Sequence, residues 1–408
     1  MVCVRPLHPC NLHLVMGAAV ILRGARIAMD ARRTRRADLG VRGGRLFFDS
    51  STGRPPDLDL SGCLVLPGLI NAHDHLEFNL FPKLGSGVYP NAGAWAYDIY
   101  RPSENPVKQH LSVSKPARLL WGALKNLLSG VTTVAHHNPY ERQFDISFPV
   151  RVVKRFGWAH SLKFSPDLVT RFRGTPEDWP FIVHAAEGTD SVARDEIQRL
   201  EALGILTDRT ILVHAIGAND SDAQILAARG TSVVWCPSSN LSLYRSTLSK
   251  ALRRSGIKVA LGTDSAMTSH TNLIDEITCA LQAGETSLEE LYEMVTIQSA
   301  AILRLYDGEG SIAAGGVADL VVVRDRGQTP AEALISLHPE LVLVGGEFRL
   351  VSTGFAPRLR GTSSVPQHGV ALNDTAQWFT DIDLPQLHQE TARVLGANYQ
   401  LAGKQVSV

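Results

Sequence analysis

His73-Asp74-His75 follows directly on the apolar run 64–72, which contains Pro67 and Gly68. On a strand, positions i and i+2 point to one side, so two imidazoles at that spacing can grip one ion. Alone the pair is a weak signal in a chain with 14 histidines, because a histidine at a strand end is often only solvated. Three further strand ends change the weight. The run 181–183 leads into His184-Ala185-Ala186-Glu187, the run 210–213 into His214, and the run 260–263 into Asp264. Divalent ions such as Zn2+ favour neutral imidazole nitrogen and carboxylate oxygen, and a catalytic site keeps one position for water. His73, His75, His184 and Asp264 make such a set, which Fe2+ or Mn2+ would also accept. A water activated there, its pKa brought to about 7, would be a nucleophile at neutral pH. Glu187 is placed to shuttle that water's proton to a leaving nitrogen, as general base and then acid. His214 would polarise the attacked centre or hold the hydroxide. Asp264 would both touch the metal and orient the nucleophile.

These side chains meet only if four strand ends share one mouth, as they do in a parallel barrel. From Gly68 onward, strands at 66–72, 132–136, 158–164, 181–185, 210–215, 231–236 and 258–262 alternate with helical stretches at 116–128, 191–203, 221–228 and 246–255. Ser221 reads as a helix cap and Gly230 as a stop. The polar, Pro-bearing segment 97–113 reads as a long loop over the mouth, and 287–303 as an amphipathic helix after the last strand. Short strands at 19–29, 38–41, 45–48 and 63–66 precede the barrel, with turns at Gly43-Gly44, Gly53 and Pro55-Pro56. Two more β stretches, 317–323 and 341–350, follow it. The expected fold is therefore α/β, a (β/α)8 TIM-like barrel over 67–307 with a small β-sandwich domain built from 18–66 and 308–355. Residues 1–17 form an extension, and 356–408 a loop and a helix near 385–395.

Composition excludes several function classes. With 40 basic and 40 acidic residues the net charge is zero, so nothing draws the whole chain to nucleic acid or membrane. The basic run 32–36 reads as a solvated loop. No stretch of 18 apolar residues exists to span a bilayer. The apolar run 13–22, preceded only by Arg5, makes a poor signal peptide, and Met16 reads as an alternative start. Five scattered cysteines without a C-x-x-C pair argue for a reducing, cytoplasmic setting. Gly308-x-Gly310 lacks a preceding strand and a third glycine, and Cys236 stands alone where a C-x-x-C zinc deaminase needs two.

In combination, 66–75 (Leu-Pro-Gly-Leu-Ile-Asn-Ala-His-Asp-His), 130–134, His184–Glu187, Val213-His214, Cys236-Pro237-Ser238-Ser239-Asn240 and Leu261-Gly262-Thr263-Asp264-Ser265 resemble the amidohydrolase superfamily, in its cytosine deaminase/chlorohydrolase-like branch. The segment 310–323 resembles that family's return into its β domain, so the likeness covers about residues 18–350. It implies a distorted barrel, one metal ion and hydrolysis of a C–N bond, usually deamination of an aminated ring. In two-metal relatives a carboxylated lysine on a strand like that of Lys163 bridges the ions; Glu187 three residues after His184 favours the one-metal form. Asn240 stands where the family often contacts substrate, although it also suits a turn cap. One of His136 and His137 is expected to face the site. Glu77 lies in a stretch, 76–81, that departs from familiar deaminases and would shape the pocket. Trp95, with Tyr97, either stacks on a planar ring or packs its loop. The expected partner is a small heterocycle (purine, pyrimidine, pterin or triazine-like), bound by a homodimer or higher homo-oligomer. Ring-amide opening and displacement of halide or alkylamine are the competing reactions, and a non-catalytic barrel scaffold is the remote one.

Overall fold

The computed structural model describes residues 19–48, 57–284, 286–359, 365–373 and 376–408. The extension 1–17, the start at Met16 and the turn residues Gly53, Pro55 and Pro56 lie outside the described residues. The strands that carry the candidate site are β1 (Leu69–Asp74), β2 (Val131–His136), β3 (Arg151–Val152), β4 (Gly157–Ser161), β5 (Phe181–Ala185), β6 (Thr210–His214), β7 (Ser232–Trp235) and β8 (Val259–Leu261). All pair in parallel, in one sheet of order β3-β2-β1 and another of order β4-β5-β6-β7-β8. A parallel bridge from Asp74 to Asp264 links the end of β1 to the turn after β8. There Thr263 and Asp264 both donate their N–H to the His73 carbonyl, at 2.8 and 3.1 Å.

Strands β1, β2, β5, β6, β7 and β8 are buried along their length, as a parallel sheet covered on both faces requires. Ile70, Ala72, Ala135, Ile182, Ile211, Val213, Val234 and Ala260 meet in one cluster inside. Leu69, Val131, Val134, Val183, Leu212 and Val233 join a second cluster that includes the helices. Five helices matter below: α1 (Ala92–Ile99), α2 (Lys115–Leu127), α3 (Pro237–Tyr244), α4 (Leu273–Gln282) and α5 (Leu384–Leu395). Two expected helices are broken. Asp195 splits 191–203 into Ser191–Arg194 and Glu196–Ala202, and 287–303 divides into Leu288–Met294 and Ile297–Ile302. The expected helix 246–255 shrinks to Lys250–Arg254. Asn219, not Ser221, caps the helix Asp220–Arg229, because Asp222 can return a bond to its backbone. The expected loop 97–113 instead contains the end of α1 and a short helix, Val107–Leu111.

Gly68 marks a change of sheet. The apolar run read as one strand divides there into Cys63–Pro67, which pairs antiparallel with Leu320–Arg324, and β1. Successive residues of Cys63–Pro67 face different cores: Leu64 and Leu66 turn to the parallel strands, whereas Cys63 and Val65 join Leu22, Leu39, Leu58, Leu320, Val322 and Leu343. The described residues between Leu22 and Val65 and those between Ala318 and Leu359 thus share one apolar core beside the parallel sheets.

Residues after 365 are more ordered than a loop and helix. Strands His368–Leu372, Ala376–Thr380, Gln400–Leu401 and Lys404–Ser407 extend a sheet that contains Glu347–Ser352. Helix α5 packs on α2, where the Trp121 indole N–H donates to Thr391 Oγ1 at 2.8 Å. No helix among the described residues is long and apolar enough to cross a membrane.

Candidate active site

Simple alternation along β1 would send Ile70, Ala72 and Asp74 inward together. The β1–β2 register shifts between Asn71 and Asp74, and the shift re-aims the strand end. His73 and His75 therefore face the histidine cluster, and Asp74 bonds Asn126 of α2 on the other side. His184 needs no such device: Ile182 faces inward on β5, and His184 follows two residues later. Val213 already faces inward on β6, so His214 reaches the cluster through a left-handed backbone, φ +77°. Asp264 likewise sits at φ +55°. Such angles cost a non-glycine residue on the order of 1 kcal/mol, which the packing around the strand ends must offset. Gly262 allows the final approach, since a Cβ there would lie 2.6 Å from His73 Cβ.

The resulting geometry is close. His184 Nε2 lies 3.3 Å from His73 Nε2, and Asp264 Oδ1 lies 3.7 Å from His73 Nε2 and 3.6 Å from His75 Nε2. Four donors around a Zn2+ at about 2.0–2.1 Å would be separated by roughly 3.3 Å, close to these three separations. The hydrogen bonds agree. His184 Nδ1 is 2.8 Å from the His160 carbonyl, which fixes that nitrogen as the donor and leaves Nε2 with its lone pair toward His73. Asp264 Oδ2 accepts from Ser239 and Thr268 hydroxyls at 2.7 and 3.1 Å, which leaves Oδ1 facing the imidazoles. Burial lowers His73 to about 4, and it drives His184 and His137 well below the usual imidazole range. Burial alone would raise Asp264, but the neighbouring His73, 3.7 Å away, and the surrounding imidazoles outweigh it and hold the carboxylate ionised. Neutral imidazoles beside an ionised carboxylate form the protonation state that a divalent cation needs. The donor atoms fall into two close groups that share His73: His73, His75 and Asp264 in one, and His73, His184 and His214 in the other.

Glu187 is buried beside this cluster. Its Oε1 accepts the Tyr244 phenol at 2.8 Å and lies 3.6 Å from His214 Nε2. Burial pushes its carboxyl up, with Asp264 adding to the rise. His214 Nδ1 is 2.8 Å from Asn240 Oδ1, so Asn240 orients the imidazole while its Nδ2 remains buried without a partner.

The other sequence candidates separate. His137 lies inside, its ring stacked at 4.4 Å on His184, with Nε2 3.1 Å from the Ala159 carbonyl. His136 points away from the cluster: its Nδ1 accepts the Leu76 N–H, and its Nε2 lies 3.2 Å from Glu77 Oε2. Burial works to raise Glu77, but His136 outweighs it and the carboxyl falls to about 2. Trp95 donates its indole N–H to the Leu84 carbonyl at 3.2 Å and packs beside Ile216, Leu243 and Tyr244. Tyr97 is 90% exposed, so it packs against nothing. Lys163 and Phe164 fall beyond the end of β4, on the wall of a cavity of about 320 Å3 that His184 and Glu187 also line. A cavity of about 460 Å3 lies elsewhere, by Arg326 and His338, away from both close histidine groups. Segment 88–92 covers the mouth, its Ala92 N–H donating to the Glu187 carbonyl at 3.0 Å. Ser239 lies within the 236–240 motif but sequence alone assigns it no role, and Tyr244 lies outside every motif; both share a helix with Asn240.

Comparison with known proteins agrees with this picture. The profile of the amidohydrolase family matches residues 177–349. A 5-methylthioadenosine/S-adenosylhomocysteine deaminase of Syntrophobacter fumaroxidans is 26% identical over 332 residues, 65% of this chain and 73% of its own length. A 5'-deoxyadenosine deaminase of Methanothermobacter thermautotrophicus is 23% identical over 377 residues, 76% and 85% of the two chains. Among solved structures, a zinc-bound atrazine chlorohydrolase mutant from Arthrobacter aurescens superposes with a TM-score of 0.70 at 19% identity, covering 92% of this chain and 99% of its own. A zinc-bound adenosine deaminase from Xanthomonas campestris gives 0.63 at 17% identity, covering 92% and 97%. Those likenesses show a shared TIM-barrel-like α/β fold. With the profile match over residues 177–349 and the strand-end histidines together, the chain is similar to the amidohydrolase family.

Proposed function

We propose that this chain is a metal-dependent hydrolase that removes ammonia from an aminated N-heterocycle, with an adenosine-type purine first among the rings to test. One observation carries the reading: His73 Nε2 lies 3.3 Å from His184 Nε2 and 3.7 Å from Asp264 Oδ1, which in turn lies 3.6 Å from His75 Nε2, all beside the buried Glu187. The names of the relatives, deaminases of adenosine derivatives, support the ring class. We read the two parallel sheets as a (β/α)8 barrel over 67–307, and the shared core of 18–66 and 308–355 as a small β-sandwich. Free thiols at Cys63, Cys236 and Cys279 support a reducing, cytoplasmic setting.

In this reading His73, His75, His184 and Asp264 hold one divalent ion, zinc by preference of the donor set. Such an ion supplies Lewis acidity and makes a water acidic enough to attack at neutral pH. Glu187 takes a proton at Oε2 while Tyr244 holds Oε1, and it returns that proton to the departing nitrogen. His214, oriented by Asn240, presents Nε2 to the reacting centre. The cavity between His160, Phe164 and Asn91 receives the remainder of the substrate.

The test is a panel of adenosine-type nucleosides, aminopyrimidines, aminopterins and amino- or chlorotriazines, offered to metal-replete protein while ammonia is measured. Release of one ammonia per ring, with the ring retained, is the expected result. Chloride, alkylamine or a ring-opened acid as the sole product would overturn the deaminase assignment.

A further inference from the structure

Asp74 stands between two of the proposed ligands, yet its side chain leaves their cluster. It is buried against α2, where Lys125 Nζ lies 2.9 Å from Oδ2, and the two side chains are 0% and 4% exposed. Asn126 and Asn71 also donate to Oδ2, at 2.8 and 3.2 Å, and Asn79 donates to Oδ1 at 3.0 Å. The same lysine reaches the other half of the site. Its ammonium donates to Thr263 Oγ1 at 3.0 Å, and Asn71 Oδ1 accepts the Thr263 N–H at 3.2 Å. One ion pair therefore grips the residue between His73 and His75 and the residue before Asp264.

Packing alone does not call for charges here. Desolvating a carboxylate and an ammonium costs several kcal/mol, and apolar residues of similar size often serve stability as well. A fully satisfied polar network adds direction, since each bond fixes an angle and a register. Both places it grips need fixing: β1 carries a register shift before Asp74, and Asp264 holds a left-handed backbone. We propose that Asp74 and Lys125 are positioning residues, which set the separation between the Asp264 carboxylate and the imidazoles of His73 and His75. The inference rests on the metal-centre reading above.

The test uses the full chain carrying D74N and K125M together, so that neither charge is left buried alone. Zn2+ affinity is read by chelator competition, and the site geometry by the visible absorption of the Co2+-substituted protein. We expect Zn2+ to bind about 10- to 100-fold more weakly and the Co2+ bands to move. The pair Arg26–Asp325, 2.6 Å apart in the smaller core's sheet, is the control, and R26M with D325N leaves both readings as in the wild type. If the first double variant does not fold, T263V removes the hydroxyl through which Lys125 and Asn71 hold the Asp264 turn, and is expected to move both readings the same way. A folded variant with wild-type affinity and spectrum overturns the inference while the metal-centre reading stands. A wild-type chain that takes up no Zn2+ fails both at the first step.

Discussion

Tyr244 and His214 converge on one oxygen of Glu187, the phenol at 2.8 Å and the imidazole nitrogen at 3.6 Å. The phenol comes from α3 and the imidazole from β6, so the carboxyl is held by two elements that Asn240 also joins. With the phenol on Oε1, Oε2 is the oxygen that the proposed proton shuttle would use.

Removing the phenol tests that arrangement. Tyr244→Phe deletes a hydrogen bond to a group that is charged for part of the cycle, worth about 1.5–3 kcal/mol. Tenfold to hundredfold lower kcat is expected, with metal content unchanged. Unaltered kcat in steady-state kinetics would remove Tyr244 from the machinery.

Asn240→Ala should act through orientation. Without Oδ1 the His214 Nδ1 loses its acceptor, and the ring is free to turn or change tautomer. We expect kcat to fall more than KM rises, and the pH–rate profile to shift. A change confined to KM would instead indicate that Asn240 contacts substrate.

Stability should depend on pH through Glu276, buried on α4, whose carboxylate accepts from Ser238 N–H and Thr271 Oγ1. Burial raises it from 4.5 to about 7, and the hydrogen bonds and the Lys125 charge only partly oppose that rise. Between those values the folded chain binds the proton that the unfolded chain has lost. The stabilisation is thus fully present below about pH 4.5 and is lost as pH rises through about 7. Glu196, also raised to about 7 chiefly by burial, adds in the same direction. Melting curves at pH 5 and pH 8 should differ by a few degrees, and Glu276→Gln should narrow that difference. An unchanged difference in the variant would show that Glu276 does not carry it.

The C-terminal hairpin presses on the loops of the mouth. Ala402 N–H donates to the Asn79 carbonyl at 2.9 Å, and a Cβ on Gly403, at φ +75°, would lie 2.6 Å from His270 Cβ. Gly403→Ala should cost about 2–4 kcal/mol, strain and overlap together. Gly256→Ala, at φ +84° with nothing within 4 Å, should cost only the strain. Equal losses by chemical denaturation would mean that the His270 contact gives way freely.

Much of the site was legible because strand ends announce themselves. An apolar run that stops at His184, His214 or Asp264 puts a polar side chain where a parallel sheet opens, and no tertiary detail is needed to see it. The register shift in β1 and the left-handed backbone at His214 were not legible, since both depend on neighbouring strands. The split at Gly68 was hidden for a related reason: Cys63–Pro67 and β1 are both buried on two faces, and an unbroken apolar run conceals the change of sheet. Asn240, Ser239 and Tyr244 lie on α3, a helix of eight residues with little periodicity, so their contacts with His214, Asp264 and Glu187 emerge only from packing. Residues 365–408 carry short strands whose pairing is decided by the sheet they join, not by their own pattern.

Metal analysis of the purified full chain bears most directly on the account. The wild type and Glu187→Gln are expected to hold about one equivalent of a divalent ion, and His184→Ala and Asp264→Ala almost none. A wild type without bound ion after zinc loading, or full occupancy in His184→Ala and Asp264→Ala alike, would contradict it.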